Sequence, residues 1–290
     1  MLNNTMNTMK TLNIIIAGIF ITMSAVYADT MPPDWRQKLS DQAWEENSRH
    51  AAFQDREIIE DTEQSVLEIR VPYAAEDATL APVTIHTKIP QADELYIQRI
   101  HVFIDKNPVP LVGIFDFTPA SGKADLAMRV RINDHTFVRA IAELNSGELY
   151  MVKSFTRARG ACSAPPPKSI GDSIANMGQM NMRLIGDVEY SKPNLMQLRI
   201  KHPNITGLQP MRIGSHVHPP AHFVNTLNVD YNGTLVMKAI LTFAISMDPS
   251  LRFFFVPDNE GVLTIQATDT KNASWSSEFA VNSELALSSL

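Results

Sequence analysis

The chain has 290 residues, room for two domains of ordinary size, and its 44% apolar and 19% charged residues are the mix of a folded protein rather than a disordered one. A formal charge of −6 gives no general attraction to nucleic acid or to anionic lipid, so both are set aside as ligands.

The chain opens with a cation at Lys10, an apolar stretch from Leu12 to Met23 and a small-residue exit through Ala25, Val26, Tyr27 and Ala28. This is the pattern of a cleavable secretory signal over residues 1–28, which directs the protein to the periplasm. A retained membrane anchor is the alternative. The apolar stretch falls short of the roughly 20 residues that a bilayer-crossing helix needs, and no later segment is long and apolar enough. Export makes the cysteine count informative, because Cys162 is the only cysteine and cannot form an internal disulfide. An unpaired exported thiol is open to oxidation, which points to one that is either buried or used.

Residues 29–55 form an N-terminal helical segment, in which Asp34 to about Phe53 sets Trp35, Leu39, Ala43, Trp44 and Phe53 among charged and polar residues. From residue 56 to 159 the texture is β. Runs at Ser65 to Val71, Val83 to Ile89, Tyr96 to Ile104, Val112 to Phe117, Ala124 to Ile132, Thr136 to Leu144 and Leu149 to Phe155 alternate with turn material such as Lys106-Asn107-Pro108 and Asn133-Asp134. Residues 160–180 break the rhythm with Gly160-Ala161-Cys162-Ser163-Ala164 and three successive prolines, and read as a flexible linker arm. A second β block fills residues 181–290, with runs at Met182 to Ile185, Leu195 to Ile200, His222 to Tyr231, Thr234 to Phe243, Leu251 to Val256 and Val262 to Ala267. Between two of them, Asn232-Gly233 is a tight-hairpin signal. The run Leu251 to Val256 reads as a central strand packed on both sides rather than as a docking strip. The expected fold class is all-β, two sandwich domains preceded by a short helix.

The first block resembles the SoxY family through Lys106-Asn107-Pro108-Val109-Pro110, Phe115-Asp116-Phe117-Thr118-Pro119, Arg129-Val130-Arg131-Ile132 and Ala140-Ile141-Ala142-Glu143, followed by a glycine and a cysteine after the last strand. The second block resembles SoxZ through Lys201-His202-Pro203, Thr206-Gly207, Pro220-Ala221-His222-Phe223, Asn232-Gly233, Ile245-Ser246 and Asp258-Asn259-Glu260-Gly261. Their shared order carries the resemblance, which is greatest to the fused SoxYZ-like carriers associated with quinoprotein dehydrogenases. It implies two immunoglobulin-like sandwiches and covalent transport of sulfur intermediates on a cysteine, with no catalysis by the carrier itself. It also implies separate periplasmic redox partners, either sulfur-oxidising cytochromes or a quinoprotein dehydrogenase system. One departure is that SoxY ends on Gly-Gly-Cys-Gly-Gly, whereas Cys162 lies inside the chain and would enter a partner as a doubled loop.

Cys162 is therefore the expected point of covalent cargo attachment, on an arm that carries Gly160. Arg157 and Arg159 are candidates for supporting an anion there, with plain solvation as their alternative. A buried structural thiol is the alternative for Cys162 itself. No nucleophile–base motif flanks it, so self-contained cysteine catalysis is not expected. His216, His218 and His222 are the one metal candidate, since His-x-His in an extended segment sets two imidazoles on one face; a structural His222 with two solvated neighbours is preferred to it, and no cofactor is expected. The linker is long enough for the two blocks to pair within one chain. The leading alternative to a carrier is an accessory protein that docks to a quinoprotein dehydrogenase with no cargo on its thiol.

Overall fold

The computed structural model describes residues 34–210 and 217–282, so the signal at residues 1–28 lies outside the described residues. One unit, Met1–Leu39, contains the start of the helix α1 (Trp35–Trp44), where the Lys38 amide donates to the Asp34 carbonyl. The other is Ser40–Leu290. After α1 the chain makes one wide turn over Glu45–Arg49 and then the short α2 (His50–Phe53).

Eight strands follow in the first block: β1 (Ile59–Glu60), β2 (Leu67–Arg70), β3 (Ala81–Thr87), β4 (Ile97–Ile104), β5 (Leu111–Phe117), β6 (Leu126–Val130), β7 (Thr136–Leu144) and β8 (Leu149–Thr156). A short helix, α3 (Ile170–Ala175), precedes the second block of β9 (Met180–Ile185), β10 (Asn194–Ile200), β11 (Val224–Tyr231), β12 (Thr234–Leu241), β13 (Ser250–Phe255), β14 (Gly261–Asp269) and β15 (Ser274–Val281). Every strand expected from the sequence is present. The two that were not expected are β1, a two-residue piece joined to β8 by a short parallel ladder, and the serine-rich edge strand β15.

The strands form two packed sheets, consistent with immunoglobulin-like sandwiches, and each sheet draws on both blocks. The larger runs β1-β8-β7-β4-β5-β12-β11-β14-β15 and the smaller β2-β3-β6-β13-β10-β9. The blocks thus pair edge to edge within one chain, twice. In the larger sheet Met237 to Leu241 lies antiparallel to Phe117 to Gly113; in the smaller, Leu251 and Arg252 face Met128 and Ala127. A side chain at Gly113 would set its Cβ 2.9 Å from the Ile240 carbonyl oxygen, so glycine is what lets the two backbones close at this seam. Between the sheets one apolar core is continuous across both blocks, from Leu67, Ile85 and Phe115 to Leu198, Phe253 and Ile265.

The period-two pattern explains most strands, but β7 is buried at all nine positions. Its inner face joins the main core. On the outer side Trp44 and Phe53 pack with Phe103, Ile141, Leu149 and Met151 as a second small core. Beside it Arg139 forks onto both oxygens of Asp105, at 2.9 and 3.0 Å from Nε, and Ser40 donates to the same carboxylate at 2.8 Å.

Candidate functional site around Cys162

The path from β8 to Cys162 is fixed by backbone pairing before it is fixed by side chains. Thr156 Oγ1 donates to the Pro72 carbonyl, Arg157 N–H donates to Tyr73 and its carbonyl accepts from Ala75. His135 Nδ1 donates to the Ala158 carbonyl at 2.8 Å, and Gly160, at φ +69°, donates its N–H to Asn133. That left-handed step turns Ala161 and Cys162 inward. Asn133 Oδ1 then accepts the Cys162 N–H at 3.3 Å, while Asn133 N–H is held by Asn107 Oδ1 and Asn107 Nδ2 donates to the Arg131 carbonyl. The two turn asparagines therefore form the scaffold of the cysteine loop.

The second block closes the other side. Thr206 Oγ1 donates to the Cys162 carbonyl at 2.6 Å, and Gln209 Nε2 donates to the Ala164 carbonyl at 3.2 Å. Gln209 Oε1 accepts the Thr206 N–H, which locks the two donors to each other. Cys162 is 0% exposed. This differs from the flexible linker arm expected from the small residues and prolines. The same small side chains that suit mobility also let the loop tuck against residues 204–209, and long-range bonds from the second block leave no local signal.

Burial pushes the Cys162 thiol up to about 11 from 9.0, with the Arg131 charge pulling the other way. Arg131 is 3% exposed; its Nη1 donates to the carbonyls of Phe243 and Ile245 at 2.8 and 2.6 Å, and no carboxylate among the described residues pairs with it. Burial drives its guanidinium down to about 10, and a charge on Cys162 is what counters that. A buried cation without a counter-ion is costly unless an anion forms beside it. Arg157 and Arg159, the arginines singled out in the sequence, are both exposed. Arg131 was legible only as part of a strand, since nothing in its own segment tells which guanidinium the fold will turn inward.

Of the three histidines, the described two stand apart in exposure. His218 is exposed, His216 lies outside the described residues, and His222 is buried with His202 and Asp269. Ligand atoms of that trio lie within 4.8 Å of one another. Their hydrogen bonding argues for a structural network: Asn204 N–H donates to His202 Nδ1 at 3.0 Å, which fixes the His202 proton on Nε2, facing Asp269 Oδ2 at 3.5 Å. A histidine that ligates through Nε2 needs its proton on Nδ1, where this fold supplies another donor. His222 Nε2 bonds Asp269 Oδ2 at 2.6 Å. Burial works to raise Asp269, but His222 and the N–H groups of Ala273 and Lys271 hold it below the usual carboxylate range. Burial and the charge of His222 lower His202. The His222 backbone in turn exchanges both hydrogen bonds with Ile205, one residue before Thr206. This trio therefore anchors the segment that holds the cysteine loop.

Residues 49–162 match the family of sulfur oxidation protein SoxY, ending on Cys162 itself, and residues 183–280 match sulphur oxidation protein SoxZ. The chain is a SoxY–SoxZ fusion. SoxY and SoxZ are carrier and accessory proteins of sulfur oxidation, generally non-catalytic, and SoxYZ carriers work with the redox enzymes of that process. The two domains support a carrier role in sulfur oxidation for this chain. Among solved structures, the sulfur carrier protein SoxY from Chlorobium limicola f thiosulfatophilum is 25% identical, with a TM-score of 0.35 over 43% of this chain and 99% of that one. A superoxide reductase (neelaredoxin) from Ignicoccus hospitalis is 15% identical, with a TM-score of 0.29 over 32% of this chain and 79% of that one. The fibronectin(III)-like modules of Clostridium thermocellum CbhA are 8% identical, with a TM-score of 0.22 over 76% and 96%. No curated protein matches the chain. Among the described residues no helix is long and apolar enough to cross a membrane.

Proposed function

We propose that this SoxY–SoxZ fusion is a periplasmic carrier that holds sulfur intermediates covalently on Cys162 while separate redox enzymes act on them. The observation that carries the reading is the lone cysteine at the end of the SoxY match, seated beside a buried arginine that has no carboxylate partner among the described residues. Joining a thiolate to thiosulfate makes an S–S bond and releases two electrons, which pass to a separate redox enzyme. The adduct is an anion, and the field of Arg131 favours an anion at that sulfur. The retracted loop keeps the thiol protonated and shielded; loading requires the loop to leave Thr206 and Gln209. Domains 56–159 and 181–290, with the cysteine segment 160–180 between them, are the working parts in this reading, and the signal at 1–28 is removed.

Burial of the thiol favours a second reading, an accessory protein that docks to a periplasmic quinoprotein dehydrogenase with nothing carried on Cys162. Intact mass spectrometry of the protein taken from its host during sulfur oxidation separates the two. A reducible increment on Cys162, in steps of sulfur or a sulfur oxyanion, is expected for the carrier. An unmodified thiol in active cells, together with full function of a Cys162→Ser variant, would overturn the carrier in favour of the docking protein.

A further inference from the structure

The outer face of the smaller sheet is unlike the rest of this acidic chain. Strand register sets Arg252 on β13 opposite Ala127 of β6 and Gln197 of β10, which makes Arg129 and Arg199 its diagonal neighbours, about 7–8 Å away. Arg183 on β9, opposite Gln197, continues the row from Arg199. All four arginines are exposed. Neither Arg129, Arg199 nor Arg252 forms an ion pair with a described residue, because the flanking carboxylates are engaged elsewhere: Glu68 with Arg70, Asp125 with His86, Asp172 and Asp248 with Lys201. Like charges spaced along a sheet face repel one another, so an arginine row without internal partners costs stability in the isolated protein.

Next to the row lies apolar surface. Leu195 faces Phe254 on one side and Ile185 on the other, all three half-buried. β13 is central in its sheet, as its sequence implied, but it is not packed on both sides: Arg252 is exposed and Phe254 is half-buried, with Lys123 Nζ 5.2 Å from its ring centre. Arginine beside aromatic and aliphatic side chains is the composition of a protein-binding surface rather than of a solvated one. Between Arg129, Arg199, Arg252 and Thr84 runs a shallow groove of about 200 Å³.

We propose that this face docks an acidic surface of a separate protein, one that presents clustered Asp and Glu side chains around an apolar spot. Arg129 belongs to the SoxY domain and Arg252, Arg199 and Arg183 to the SoxZ domain, so the row exists only where β6 and β13 pair and a partner reads the assembled carrier. Naming that partner as an enzyme that works on Cys162 cargo rests on the carrier reading; the surface itself does not.

The test is site-specific photo-cross-linking in the native host, using the full chain with Thr84→p-benzoylphenylalanine, followed by sequencing of the cross-linked peptides. A cross-link to another protein, through a peptide rich in Asp and Glu, is expected. Its yield should fall about tenfold or more when Arg129→Glu and Arg252→Glu are combined, while the thermal unfolding midpoint of the purified variant stays the same or rises as the like-charge repulsion is relieved. Any of four results would overturn the proposal: a yield indifferent to the charge reversal, cross-links confined to a second copy of this chain, adducts with phospholipid alone, or no adduct. Intact mass at Cys162 measured on the same cells keeps the two ideas apart, since a loaded thiol without the cross-link removes the surface and leaves the carrier standing.

Discussion

The two blocks of this chain meet in two ways. At the sheet seams they share backbone: β5 and β12 pair over five residues, β6 and β13 continue the second layer, and one core runs beneath both. At the cysteine loop they share only side-chain donors, from Thr206 and Gln209 to the carbonyls of Cys162 and Ala164. The first junction cannot open without exposing a core; the second opens by breaking two hydrogen bonds between the blocks, each worth about 1 kcal/mol, with the Asn133 bond to the Cys162 N–H lost alongside them. A carrier needs this pairing of a fixed platform with a releasable arm, and the two junctions can be attacked separately.

The largest effect is expected at the seam. Gly113→Val drives a branched side chain against the Ile240 carbonyl, where neither backbone can yield without parting the sheet, and should cost about 3 kcal/mol. Urea unfolding followed by tryptophan fluorescence and by far-ultraviolet dichroism should move to a lower midpoint in both signals together. If the signals separate into two transitions in the wild type, the shared core is not one cooperative unit.

Arg131 comes next, because it touches both junctions: its carbonyl partners lie in the second block and its charge acts on Cys162. Arg131→Met leaves the Phe243 carbonyl unpaired and the Ile245 carbonyl with only the Asn204 amide, a loss of about 2 kcal/mol that removal of a buried charge partly offsets. More tellingly, the pH midpoint for alkylation of Cys162 should rise in Arg131→Met and stay near the wild-type value in Arg131→Lys. A midpoint that ignores both substitutions would mean that Arg131 is not the counter-charge of this thiol.

How much of this could be read from residues alone follows the range of the interactions. The strands were legible because period-two burial is local, and even β11 and β12 were joined correctly by Asn232-Gly233, whose positive φ angles of 49° and 80° suit a tight hairpin. β15 was lost because Ser274, Ser276, Ser277 and Glu278 dilute the alternation on an edge strand. Cys162 stood out by count and by its neighbours. Its burial did not, since Asn107, Asn133, Thr206 and Gln209 reach it from far along the chain, and the first two looked like ordinary turn formers. His222 was noticed for its neighbours in sequence, whereas its partners in the fold, His202 and Asp269, lie 20 and 47 residues away.

Loosening the arm should cost less than either change above. Thr206→Val with Gln209→Ala removes both donors and should lower stability by ~1–2 kcal/mol. The alkylation rate of Cys162 at pH 8 should meanwhile rise by up to about a hundredfold, the thiolate fraction that burial withholds between 9.0 and about 11. An unchanged rate in a folded double variant would show that the loop is held by packing rather than by these bonds.

The smallest effect measures the same release without any substitution in the second block. Cys162 is an acid whose folded pKa is raised, so the fold favours the neutral thiol; that contribution is fully present below pH 9.0 and is lost as pH rises through about 11. Were the loop never to leave, titration would remove on the order of 3 kcal/mol. A loop that peels away frees the thiolate at the cost of its own release, the bonds to Thr206, Gln209 and Asn133, and the loss then levels off at that cost where it is the smaller of the two. Comparing urea stability of the wild type with Cys162→Ala from pH 8 to pH 11 cancels the lysines and tyrosines that titrate in both. A difference that plateaus early gives the release free energy directly and supports a mobile arm; one that grows to the full value means that Cys162 stays buried until the protein unfolds, and a thiol that cannot emerge cannot carry cargo to another enzyme.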